Sequence, residues 1–278
     1  GAKIAPVIEF CYICMLRKAL DMAKIERRRT RQMGKAVRIS MLVIFLGLVL
    51  MVLIVFKLYS RVFETNVAME SDQEILYIPT GAPFSYVIGI LEEDSIIENS
   101  KSFRWVARKK GYDTNVKPGR YKISNGISNN ELVNMLRSGR QDPVMVVFNN
   151  VRSLDQIAGK VSKYLMADSS EFAAYFAKEN LPSWYGLDAA TLTSMFIPET
   201  YEFFWTTTPE EFTERMNDEY KKFWNGERDR KAKKLEMTRA EVVTLASIVD
   251  EETLYDDENG RVAGLYMNRM DQGIAELG

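Results

Sequence analysis

Three adjacent carboxylates, Asp250, Glu251 and Glu252, close an apolar stretch that carries Val242, Leu245, Ala246 and Val249. They are the residues of this sequence best placed to do acid–base chemistry. A carboxyl group set against apolar surface resists ionisation, because desolvation disfavours its charged form, and an acid that stays protonated can give its proton to a leaving oxygen. At about 100° per residue, Glu252 falls roughly in line with Leu245 at the edge of the apolar stripe. Glu251 points away from the stripe and Asp250 sits on its other edge. Helical phase therefore singles out Glu252 as the candidate general acid, expected to face packed protein. The competing reading is a solvated helix end, since perturbed carboxyls are a minority of all carboxyls.

Other chemistries are removed by composition. The chain of 278 residues contains no histidine, which excludes Ser-His and Cys-His triads and ordinary His-ligated metals. Its two cysteines, Cys11 and Cys14, form C-Y-I-C with no second pair, a weak signal for a metal or redox site. There is no Gly-rich phosphate loop, no nucleophile elbow and no repeat. Catalysis must rest on carboxylates, hydroxyls, Lys or Arg, and neither a metal nor a cofactor is expected.

The elements that must position these acids can be read locally. Thr238 followed by Glu241 has capping-box spacing, so a helix starts near Arg239; a loop and a second helix carry the chain to Met270. Upstream, Pro143–Phe148 reads as an apolar strand, Ser153–Tyr164 as an amphipathic helix and Ser169–Glu179 as a helix broken at Leu181-Pro182. Trp184–Thr208 is an aromatic-rich loop, able to line a carbohydrate groove or to join the core, and Phe212–Lys234 is one charged amphipathic helix. Before these, Glu74–Ile78 and Arg120–Ser124 are strands, with helices around Val87-Ile88, Phe103–Ala107 and Leu132–Leu136 between and after them. The fold class is α+β.

Hydrophobic residues make up 46% and charged residues 27%, an ordinary globular balance, and the net charge of -1 conceals a polar asymmetry. Arg17–Arg38 is rich in Lys and Arg and runs directly into Met41–Phe56, which carries no charge. With its flanks, residues 39–59 reach the ~30 Å needed to cross a bilayer. The basic block places the N-terminus in the cytoplasm by the positive-inside rule. Lys57–Phe63 offers no small-residue cleavage site, which argues against a removed signal peptide. The organisation is thus a basic segment 1–38, a transmembrane anchor 39–59, a polar stalk 60–73, a first module 74–140 and a second region 141–278. No DNA-binding helix pair is visible, and the lysines at 231–234 lack interleaved aromatics, so nucleic acid is not an expected partner.

Three motifs resemble the MltG (YceG-like) family of endolytic murein transglycosylases. They are Leu245-Ala246-Ser247-Ile248-Val249-Asp250-Glu251-Glu252-Thr253, Arg261–Met270 and Phe196-Ile197-Pro198-Glu199-Thr200-Tyr201-Glu202-Phe203. The resemblance covers roughly Ile39–Gly273. It implies a LysM-like module at 74–140, a mixed α/β catalytic domain at 141–278 and an inner-membrane protein acting on peptidoglycan strands, with cell-wall synthesis proteins as further partners. It implies Glu252 as the catalytic acid/base, and Thr200, Tyr201, Thr253, Tyr266 and Asn268 as substrate contacts. The family motif continues past the Asn-Arg pair with a Leu-Gln-x-Asp-Pro-Thr-Val segment, whereas this chain reads Gly273-Ile274-Ala275-Glu276-Leu277-Gly278, so an incomplete C-terminal site is expected. Two rivals stand beside the transglycosylase: a muramidase-type hydrolase using Glu199, Asp250 or Glu251 as second carboxylate, and a non-catalytic glycan-binding or scaffold protein.

The topology is testable through the two native cysteines. In spheroplasts, a membrane-impermeant maleimide is expected to label an introduced Ser170→Cys at once, and to reach Cys11 and Cys14 only after permeabilisation. Immediate labelling of Cys11 and Cys14 would reverse the orientation.

Overall fold

The computed structural model describes residues 5–149 and 151–272. The expected interruption of the family motif, at 273–278, lies outside the described residues, as do the side chains of Cys11 and Cys14. The first element is a single helix, α1, Ala5–Phe63. Its portion Ser40–Phe63 is apolar and long enough to cross a membrane, and its most apolar window is not buried in the rest of the protein. The 24 residues span about 36 Å at 1.5 Å each.

The first module is built from β1 (Gln73–Ile78), α2 (Phe84–Glu93), α3 (Ser100–Lys109), β2 (Gly119–Ser124) and α4 (Asn129–Ser138). β1 and β2 pair antiparallel, with Ile78 opposite Gly119 and Gln73 opposite Ser124. Leu76, Ile78, Tyr121 and Ile123 point inward, as strand alternation requires, onto Val87, Ile88 and Leu91 of α2, Phe103 and Val106 of α3, and Leu132 and Leu136 of α4. Ser128 and Glu131 form the capping box that starts α4, and Gly139, at φ +69°, closes it in the left-handed region.

Part of the stretch expected as a stalk belongs to this module. Val67 is fully buried in its core, and Val62 of α1 packs against it. Asn66 Nδ2 donates to Asn129 Oδ1 at 2.8 Å, and Asn129 Nδ2 donates to the Arg61 carbonyl at 2.8 Å and to Ser102 Oγ at 2.9 Å. Asn66 Oδ1 accepts from the Asn99 amide at 2.9 Å. Buried amides joined in this way satisfy one another and fix the end of α1 to the starts of α3 and α4.

The second region contains β3 (Val144–Phe148), α5 (Leu154–Val161), α6 (Ser169–Phe176), the single turn α7 (Leu181–Trp184), a 3-10 turn at Leu192–Met195, β4 (Glu199–Phe203), α8 (Pro209–Phe223), α9 (Gly226–Lys234), α10 (Arg239–Glu252) and α11 (Asn259–Asp271). β3 and β4 pair antiparallel, Val144 opposite Phe203 and Phe148 opposite Glu199. This corrects the reading of Trp184–Thr208 as a loop. Glu199-Thr200-Tyr201-Glu202-Phe203 alternates, and its Tyr201 and Phe203 enter the core with Val146 and Phe148. The charged run Phe212–Lys234 is likewise two helices. Asn225 interrupts it, and its side chain accepts from the amides of Glu227 and Arg228, capping α9.

Phe212 of α8 is fully buried at the centre of an aromatic cluster, with ring centroids 5.1 Å from Phe203, 5.5 Å from Phe172, 6.1 Å from Phe196 and 6.2 Å from Phe148. The Phe212→Ala variant is expected to lose about 4 kcal/mol of stability in urea denaturation. Phe204→Ala, at a side chain 53% exposed, is expected to stay within about 0.5 kcal/mol of wild type. Equal losses would deny the cluster its central place.

Candidate active site

The candidate site is held by the α10–α11 pair. α10 starts as its sequence dictates: the Glu241 amide donates to Thr238 Oγ1 at 3.2 Å, and the Thr238 amide donates to Glu241 Oε2 at 2.7 Å. Those contacts with Thr238 hold the Glu241 carboxyl below its ordinary range. Beside the cap, Arg239 grips Asp229 of α9 in a bidentate pair, 2.8 Å from Nε and 2.7 Å from Nη2, and this keeps the Asp229 carboxyl low. Val249 is buried, while Val242 and Val243 pack partly against the larger core.

Each acid at the far end of α10 has a different environment. Glu251 pairs with Arg152, from the segment before α5, at 2.7 Å. Glu252 accepts a hydrogen bond from the Tyr266 phenol of α11 at 3.1 Å. The Tyr266 phenol is pushed above its ordinary range by desolvation first and then by the bond to Glu252. The Arg269 guanidinium lies 5.6 Å from the centroid of the same ring. Asp250 makes no ion pair and no side-chain hydrogen bond among the described residues.

Thr253 leaves the helix in an extended conformation and knots the turn. Its Oγ1 accepts from the Tyr255 amide at 3.1 Å and donates to Glu258 Oε2 at 3.2 Å. Between the two helices runs a mostly apolar groove of about 150 Å³, lined by Glu241, Thr244, Leu245, Ile248, Tyr266 and Met270.

The expectation that Glu252 faces packed protein is overturned: it is exposed. The phase relation to Leu245 holds, but Leu245 lines the open groove, and the core side of α10 is the Val242–Val249 line. Glu252 thus lacks apolar cover from the protein and has a phenol donor instead. Of the other expected contacts, Tyr266 is brought to Glu252, whereas the hydroxyl of the adjacent Thr253 turns to Tyr255 and Glu258. Asn268 is exposed on α11, and Thr200 is exposed on the outer face of β4 opposite Val147. No hydrogen bond links either of them to Glu252 among the described residues. Tyr201 is turned into the core, stacked on Phe148 at 5.5 Å, its phenol donating to the Ile197 carbonyl at 2.8 Å. Sequence reasoning missed Glu258 and Arg152. Glu258 sits just ahead of α11, where an acid suits a helix start, whereas no local signal marks Arg152.

Burial pushes the Tyr201 phenol up to about 12. An unfolded tyrosine ionises near 10. The folded pKa is the higher one, so this contribution to stability is complete below about pH 10 and is lost as pH rises toward about 12. Relative to Tyr201→Phe, the wild-type chain is expected to lose an extra ~1.4 kcal/mol per pH unit in that window. Parallel unfolding curves for the two proteins would show that the phenol is not buried in solution.

The YceG-like family model matches residues 76–278, which begins within β1 and includes the β3–β4 pair, α10 and α11. Two relatives named endolytic murein transglycosylase, from Streptococcus pneumoniae serotype 2 strain D39 and from strain R6, are each 25% identical over 228 residues. Each alignment covers 71% of this chain and 40% of the relative, so the chain spans about 40% of the length of the curated relatives it matches. A solved YceG-like protein from Listeria monocytogenes is 20% identical, with a TM-score of 0.41, over 72% of this chain and 71% of that one. With a family match that runs through more than half of its residues, the chain belongs to the YceG-like family.

Proposed function

We propose that this chain is part of a membrane-anchored endolytic lytic transglycosylase that cleaves the bond between N-acetylmuramic acid and N-acetylglucosamine within a peptidoglycan strand. The observation that carries the reading is the hydrogen bond that ties the Glu252 carboxyl to Tyr266, a residue lining the α10–α11 groove, inside the family-matched residues. The names of the relatives supply the reaction class. Glu252 protonates the glycosidic oxygen as it leaves. As carboxylate it then takes the proton of the muramyl C6 hydroxyl while that oxygen attacks C1, closing a 1,6-anhydro ring. Atoms balance without water, and Glu252 ends protonated as it began. Intramolecular attack draws its rate from proximity, so one carboxyl suffices. Cover for that carboxyl comes from the bound strand rather than from the protein.

In this reading Thr253, Tyr266, Asn268 and Thr200 face the strand, and Tyr201 acts by holding β4 in place. The strand–helix–helix–strand order of the first module supports a LysM-like glycan-binding role for 74–140. The apolar helix supports a single-pass inner-membrane protein, and the basic residues ahead of it support an N-terminus in the cytoplasm. A muramidase-type hydrolase is the second reading. Thr253 brings Glu258 next to the Glu252 end of α10, and a second carboxylate there is what water activation would need.

Mass spectrometry of glycan products separates the two. Anhydro ends are expected from the wild-type protein, with a loss of about 10²- to 10⁴-fold in Glu252→Gln. Reducing ends, abolished in Glu258→Gln, would replace the transglycosylase by the hydrolase.

A further inference from the structure

A second feature lies in the first module, away from α10 and α11. The C-terminal ends of α3 and α4 enclose a polar cleft of about 610 Å³, lined by Lys110, Gly111, Asn115, Asn134, Arg137 and Ser138. The Lys110 ammonium is held rather than free to wave. It donates to Asn134 Oδ1 at 2.6 Å and to Asn130 Oδ1, two amides one helical turn apart on α4. These use two of its three donors. Arg137 lines the same cleft, and desolvation first, with the charge of Arg137 behind it, lowers the Lys110 pKa.

Two cations therefore line one cleft, and among the described residues neither has a carboxylate within ion-pair distance. The two helix ends contribute about half a negative charge each. That offsets only part of the two full positive charges, so the cleft remains cationic. A flexible lysine on a solvated surface would relax away from Arg137, but the two asparagines prevent it.

We propose that this cleft binds an oxyanion, carboxylate or phosphate, carried on a hydroxylated or amide-bearing chain. Arg137 offers a planar fork that suits either group bidentately, and Lys110 adds a fixed point charge. Asn115, Asn134 and Ser138 supply neutral hydrogen-bonding groups for the hydroxyls or amides around the anion. The site is independent of Glu252, and its test reads binding rather than cleavage.

The test is amine acylation of the full-length chain in detergent, with peptide mass spectrometry comparing Lys110 with Lys122. The probes are inorganic phosphate, glycerol 3-phosphate, N-acetylmuramic acid for its carboxylate, and neutral chitotriose. Anionic probes are expected to protect Lys110 selectively. Arg137 is exposed, so Arg137→Gln should keep the wild-type circular dichroism while weakening that protection by about tenfold, the worth of one charge-assisted hydrogen bond. Protection by the phosphates alone assigns a phosphate ligand, and protection by the sugar acid alone assigns a carboxylate. Equal protection by chitotriose, no protection by any anion, or protection undiminished in Arg137→Gln overturns the proposal.

Discussion

Everything in the second region leans on the aromatic contacts of Phe212. A two-stranded sheet such as β3–β4 has no independent stability in water, because it buries too little on its own. Here one face of the pair is covered: Val146, Phe148, Tyr201 and Phe203 meet Phe172 of α6, Phe196 and Phe212, and the rings contact one another in edge-to-face, tilted and offset-stacked pairs. Such pairs add about 0.5–1.5 kcal/mol each beyond area burial. The other face, with Met145, Val147, Thr200 and Glu202, remains open to solvent. Removing the ring at position 212 would loosen the floor on which Val242 and Val243 of α10 rest.

α10 itself is lightly held, and this shapes the site. Its apolar contacts with the core come down to Val242 and Val243, and its ion pairs, Arg239–Asp229 and Glu251–Arg152, are partly or largely exposed. Exposed pairs contribute at most about 1 kcal/mol each. Their work is to choose the rotation and register of the helix rather than to stabilise it. The consequence is that neighbouring acids diverge by partner. Glu251 is taken by a guanidinium, Glu252 by a phenol and Glu258 by a threonine hydroxyl. Groups of identical chemistry can then take different roles, because environment and not identity sets acid–base function.

What was legible in the sequence follows the range of the interactions involved. The capping box at Thr238 and the apolar spacing of α2 and α3 are settled within a few residues, and they stand in the structure as read. β4 was open to recognition through its alternation, yet a strand is defined by its partner, and β3 lies far upstream, so aromatic density disguised it as a loop. Asn225 was lost inside a run of charges. Glu252 shows the limit most clearly. Phase gives the angle between Glu252 and Leu245, but it cannot say whether protein, groove or solvent lies in that direction. The resemblance implied Tyr266 as a substrate contact but said nothing of its bond to Glu252, and the Arg152–Glu251 pair likewise needed the fold to bring distant segments together.

The same long-range logic governs how the site is carried. The last carbonyls of any helix lack intrahelical donors. In α1 the Arg61 carbonyl receives one from Asn129, and the Asn66–Asn129–Ser102 network continues into the first module. That module in turn grips the second region. Arg120 pairs with Asp142 and donates to the Pro143 carbonyl, Tyr77 meets Trp205 edge-on at 4.9 Å, and Gln141 donates to Thr206 at 3.2 Å. Contacts are therefore continuous from the end of the apolar helix to β3 and β4, with no free linker between them. In the membrane-anchored arrangement proposed above, a flexible stalk would let the acid at position 252 sample a range of depths. A docked helix end fixes that depth by the dimensions of the folded modules, so the fold itself would set which layer of the glycan mesh the site can reach.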